Sequence, residues 1–330
     1  MKKLFNCICL GVFLIVSGCS SDSEDCEVGA VENPNQQGPI DGAIYKQSAL
    51  DCRVPKLQVF QFNNYTSTEI KANQNTILYI SEGTFQKLDG TIIDGEITFS
   101  ILEMYNAGEI IACQLSTNGI NNNQTVEPLL SESIFYINAE HNGNPVLMNG
   151  EIQVFIPSDN ENLDLSLFVS PSCNEIECPV LWEVVPQYSV FEEPYQDASG
   201  SIILGYRATV SELGWYSFAR YNPSSEERGV LYNKAHSPYS LANSNVFLKY
   251  DSNSIGVGMF SEYDTENEVF SEKFSQIPRN TVANVIFVSK PESEFLFDSS
   301  PVITNDGKIT VTRNTKNGSE RNLVDYINNL

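Results

Sequence analysis

Apolar and polar positions follow three different patterns along this chain. The first is "CICLGVFLIV", Cys7 to Val16, ten nearly unbroken apolar residues behind a charged "MKK". A membrane-spanning helix needs about 20 such residues, so this run reads as the apolar part of a signal peptide over residues 1–18. No later window is as apolar, and we expect the mature chain to have no transmembrane segment. The second pattern is mostly Ser, Asp, Glu, Asn, Gln, Gly and Pro, through residues 19–52. Such a composition cannot bury a core and predicts a flexible tether with a reach of about 30 Å.

The third pattern, from about residue 53, is period-2 alternation broken by turn dipeptides. "GEITFSI" sets Ile97, Phe99 and Ile101 on one face and Glu96, Thr98 and Ser100 on the other, as a half-buried strand requires. "SIFYINA" and "EIQVFIP" repeat the alternation, and Pro157 ends the latter. Asp89-Gly90, Asp94-Gly95, Asn118-Gly119, Asn142-Gly143 and Asn149-Gly150 supply hairpin turns. These signals predict an antiparallel β-sandwich over residues 53–170.

Strand-like text resumes in "CPVLWEVV", "GSIILGYRATV" and "GWYSFARYN" and continues to "GKITVTR", which predicts a second β domain over residues 171–330. "SERNLVDYINNL" closes it as a short helix, capped by Ser319, with Leu323, Ile327 and Leu330 on one face. The fold class is therefore all-β, two consecutive sandwiches and a C-terminal helix. "GVG" at Gly256–Gly258, between strand-like runs, reads as a close packing contact.

Composition narrows the function. The 330 residues include 42 acidic and 19 basic ones, and no Lys/Arg cluster follows Lys3. Nucleic acid is thereby excluded as a partner, because a polyanion needs a basic face. Two histidines are a small supply for acid–base chemistry, and both His141 and His236 lie in polar loop text. No nucleophile elbow, zinc-protease, P-loop or dinucleotide motif occurs, so we expect no cofactor and no enzyme. The acidic runs "SDNENLD" and "SEYDTENE" offer oxygen ligands for Ca²⁺ without the EF-hand spacing, and solvated loops are the simpler reading.

Export implies an oxidising compartment and disulfides. Cys173 and Cys178 bracket a short loop, "CNEIEC", and are expected to pair; Cys26 with Cys52 is a second candidate. Loop entropy gives roughly 2 and 3.5 kcal/mol for these bridges. Cys113, in the apolar strand-like run "EIIACQL", is expected to be a buried free thiol.

The run "VSGC" ending at Cys19 resembles the lipobox of bacterial lipoproteins, which implies acylation at Cys19 and cleavage before it. The following Ser20, Ser21, Asp22, Ser23, Glu24 and Asp25 resemble the acidic export tag of Bacteroidota surface lipoproteins, implying an outward-facing place on the outer membrane. One acyl chain holds a protein only marginally, at roughly 0.8 kcal/mol per buried CH2, so stable anchoring takes more than one. The turn and strand order from "GTFQKLDG" to "EIQVFIP" is similar to a ZU5-type sandwich, which implies a binding or structural role.

The aromatic text "WEVVPQYSVFEEPYQ" and "GWYSFARY" is the one hint of a ligand, with Trp182, Tyr188, Tyr195 and Trp215 as possible sugar-stacking rings. The alternative is that Trp182, Trp215 and Phe218 fill a core. The expectation is thus a lipid-anchored, non-enzymatic envelope protein that acts as a binding, adhesion or structural module through protein or glycan contacts. A glycan-capture lipoprotein of an uptake system is the alternative, and a surface hydrolase the third.

Overall fold

The computed structural model describes residues 41–171, 174–196, 199–224, 226–235 and 238–330. Strand Glu96–Met104 buries Ile97, Phe99 and Ile101 as its alternation requires. Beyond Ile101 the alternation ends, because Leu102, Glu103 and Met104 are all buried. This strand belongs to a sheet covered on both faces.

That sheet has the strand order Gln58–Asn63, Glu96–Met104, Leu130–His141, Gly214–Arg220, Ser166–Val169, Glu183–Val184, with Asn144–Pro145 added beside Leu130–His141. A second sheet, ordered Phe191–Glu192, Gly205–Val210, Ile152–Pro157, Ile77–Ile80, Thr68–Lys71, packs on one of its faces. Phe99, Phe135, Leu167 and Phe218 from the first sheet meet Leu78, Val154, Ile156 and Tyr206 from the second.

A third sheet runs Val257–Met259, Ser244–Tyr250, Val282–Ser289, Phe295–Ile303, Lys316–Gly318. Its Val246, Leu248, Val285 and Phe287 pack against Leu231 and Phe270 of a fourth sheet, ordered Glu262–Asp264, Val269–Ser271, Leu231–Lys234, Lys308–Val311. The pairing of the last two is parallel, and every other strand pair in these four sheets is antiparallel.

Between the two sandwiches lies the largest core. Ile134, Tyr136 and Trp215 of the first sheet and Phe247, Ile286 and Phe297 of the third meet there with helices α1 (Gly42–Arg53), α2 (Ala107–Ala112) and α3 (Glu320–Asn328). Ser319 caps α3 in a capping box with Asn322, and Leu323 and Ile327 face inward as the sequence predicts. Gly108 lets α2 approach α3: a Cβ there would lie 2.5 Å from the Val324 carbonyl oxygen. Among the described residues no helix is long and apolar enough to cross a membrane.

Three expectations need correction. The boundary between residues 170 and 171 does not hold, since strands Gly205–Val210 and Gly214–Arg220 complete the first sandwich. The described chain is one compact unit in which both sandwiches share a core. The tether does not run to residue 52, because α1 folds onto the body and buries Tyr45 and Cys52. Asn118-Gly119 is not a turn but part of strand Asn118–Ile120, where a Cβ on Gly119 would collide with the Leu129 side chain. Asn142-Gly143 does turn the chain, both residues at positive φ.

The cysteines also pair differently. Cys52 is bonded to Cys113, not to Cys26, and Cys113 is neither free nor on a strand: it caps α2. The four-residue apolar run Ile110–Cys113 was too short to separate helix from strand by periodicity. Cys178 is disulfide-bonded. Cys19, residues 20–25, Cys26, Cys173 and His236 lie outside the described residues.

Candidate functional site

The aromatic residues singled out by sequence are core residues or close to it. Trp182 and Trp215 are fully buried, donating from Nε1 to the Ser116 carbonyl at 2.8 Å and the Glu175 carbonyl at 3.0 Å. Tyr195 is buried on the outer side of the second sheet and donates to Glu69 at 2.8 Å. Tyr188, half-buried, packs on the first sandwich core and donates to Ser211. None of the four rings forms a flat exposed platform, which removes the sugar-stacking surface expected of them.

His141 is held by its hairpin. Its Nδ1 lies 2.8 Å from the Glu96 carbonyl and so carries the proton, while Nε2 accepts from the Asn142 amide at 2.9 Å. The acidic runs likewise satisfy themselves: Asp264 accepts from the Glu266 and Asn267 amides as an Asx turn. Among the described residues no group of three or more His, Cys, Asp or Glu side chains is placed to hold a metal ion.

What the fold does assemble is a polar groove along the seam between the sandwiches. Ser131 and Ile255 exchange backbone hydrogen bonds of 2.8 and 2.7 Å across this seam. Beside it, Thr117 accepts from the Val257 amide and Asn118 donates to the Met259 carbonyl. "GVG" makes the approach possible, as expected. A Cβ on Gly256 would lie 2.6 Å from Tyr250 and 3.0 Å from Leu130, and one on Gly258 would lie 2.7 Å from Pro128.

The groove has two lobes of about 640 and 600 Å³ that share Asn160 and Asn253. Glu132 stands in the second lobe because strand Leu130–His141 carries a bulge: Phe218 faces Ser133 and its neighbour Ala219 faces Ser131, leaving Glu132 as the extra residue. Bulges redirect side chains in this way. Glu132 is 8% exposed; its Oε2 accepts from Ser158 Oγ at 2.7 Å and Asn160 Nδ2 at 2.9 Å, while Oε1 has no partner.

The first lobe is lined by Arg220, Asn222 and Tyr250 among others. The Arg220 side chain makes no hydrogen bond or ion pair with any described residue, and its Nε is buried. The Tyr250 hydroxyl is buried and unpartnered, and burial raises its pKa above the ordinary tyrosine range. The run "SDNENLD" forms part of this wall: Ser158 and Asn160 hold Glu132 and face the groove.

Sequence reasoning missed Glu132, Arg220 and Asn160. The one local signal was "LLSESIF", where two serines flank an acid and interrupt an apolar strand. The chain matches no family model, no curated protein and no solved structure.

Proposed function

We propose that this protein is a lipid-anchored module of a bacterial outer membrane, facing outward, that binds a partner and does not catalyse a reaction. The observation that carries this reading is "VSGC" at Val16–Cys19 behind a ten-residue apolar run and a charged start. Residues 20–41 then join Cys19 to α1, which Cys52–Cys113 fastens to the core.

The partner-binding face is the seam groove, where buried Glu132 and partnerless Arg220 supply polar atoms that the fold itself leaves unused. Glycan capture is the second reading, favoured by the amide and hydroxyl side chains around these two residues.

Replacing Cys19 by Ser tests the anchor: the protein should leave the membrane fraction. Display is tested by adding protease to intact cells before and after neutralising Asp22, Glu24 and Asp25. Unchanged protease access after that replacement removes the export-tag part of the proposal.

A further inference from the structure

We propose that the seam groove takes a neutral, polyhydroxylated ligand of the saccharide class, held between Glu132 and Arg220. This rests on the reading of the protein as a binding module and names what it binds.

The unmet groups of the groove are of opposite kinds. Glu132 Oε1 only accepts, the Arg220 guanidinium only donates, and the Tyr250 hydroxyl does either. A simple cation would meet Glu132 and Asp159 in the second lobe, but among the described residues no group of three or more His, Cys, Asp or Glu side chains is placed to hold a metal ion. An anion would meet Arg220 but face Glu132 and Asp159 in one lobe and Glu226 and Asp251 in the other.

A hydroxyl group donates and accepts at once, so a compound with several of them satisfies both ends without importing charge. The shared Asn160 and Asn253 add amides between the two ends, the side-chain type that pairs with vicinal hydroxyls. Leu130, Leu163 and Pro223 add apolar lining for the C–H faces of such a ligand. Both lobes fall in the size range of about 300–1,000 Å³ typical of small-ligand sites.

Oε1 is buried and unpartnered, so a ligand hydroxyl reaches it once the Glu132 side chain turns toward the groove.

The test is calorimetric titration of the detergent-solubilised full chain with neutral gluco-, galacto- and manno-oligosaccharides, alongside inorganic phosphate, calcium chloride and a zwitterionic lysine tripeptide. At least one neutral oligosaccharide should bind. Glu132→Gln, Arg220→Met and Asn253→Ala should each weaken it tenfold or more, with unchanged melting temperature, while exposed Glu151→Gln leaves it unaltered. Asn253 is an exposed turn residue and keeps the test valid should either wall variant unfold.

Binding of phosphate or the tripeptide in place of the oligosaccharides, lost in Arg220→Met, would overturn the saccharide class and leave the groove a binding site. No binding by any probe, or binding indifferent to all three variants, would overturn the groove itself. Membrane retention through Cys19 is read independently and survives either result.

Discussion

Arg53 is the last residue of α1 and is almost fully buried. Its guanidinium donates to four carbonyls: Cys113 at 3.0 Å, Ile176 at 2.8 Å, Cys178 at 2.9 Å and Gln114 at 3.2 Å. It also lies 5.7 Å from the centre of the Trp215 ring. Burial pushes its pKa down to about 10, opposed by Glu177, so the group stays charged at neutral pH. Arg53→Met keeps the aliphatic stem and deletes every side-chain donor, stranding carbonyls just past the C-terminus of α2 and in the 176–178 loop. Removing one side of such a buried charged network costs about 3–5 kcal/mol. At roughly 2–4 °C per kcal/mol for a chain of this size, the melting temperature should fall by about 10 °C. Urea unfolding followed by fluorescence gives the free energy directly, and hydrogen exchange over α1 should rise more than over the Val282–Ser289 strand. A fall below about 2 °C would refute the view that Arg53 pins the first helix to the core.

Other consequences follow from the same packing. Deleting the Cys52–Cys113 bridge as a double alanine variant frees a 61-residue separation, worth about 4 kcal/mol of loop entropy by the chain model, measurable in the same urea titration. Gly108→Ala forces a methyl group onto the Val324 carbonyl and should cost about 1–3 kcal/mol, seen as early melting of α3 by hydrogen exchange. Ser319→Ala removes the α3 cap for about 1 kcal/mol, with the same readout.

Burial raises the pKa of Glu103, Glu109, Glu127 and Glu272. Raised carboxyl groups bind more protons folded than unfolded, so their contribution is complete below the unfolded value near 4.5 and is lost as pH rises through the folded values. Self-repulsion from the net charge of −23 acts in the same direction. The melting temperature should therefore rise as pH falls from 7.5 to about 5, and a steady decline over that range would contradict this.

Much of the all-β architecture was legible from Ile97, Phe99 and Ile101, from the turn at Asn142-Gly143, and from the capped C-terminal helix. These features are local and carry their own period. The placement of strand Gly214–Arg220 was not legible: nothing near Tyr216 says that it pairs between Phe135 and Val169 and not with its sequence neighbours. Helix α1 was hidden because its inward face is Tyr45, Ser48, Cys52 and Arg53, only two of them apolar. The aromatic residues misled because burial depends on the second layer covering each sheet. Glu132 depends on a bulge, a property of the paired strands and not of either alone.

The most direct test of the proposed function is the mass of the N-terminal peptide of the protein isolated from its own membrane. The account predicts a peptide beginning at Cys19 and carrying a diacylglycerol with or without a further acyl chain. A peptide that begins elsewhere, or an unmodified Cys19, would contradict it.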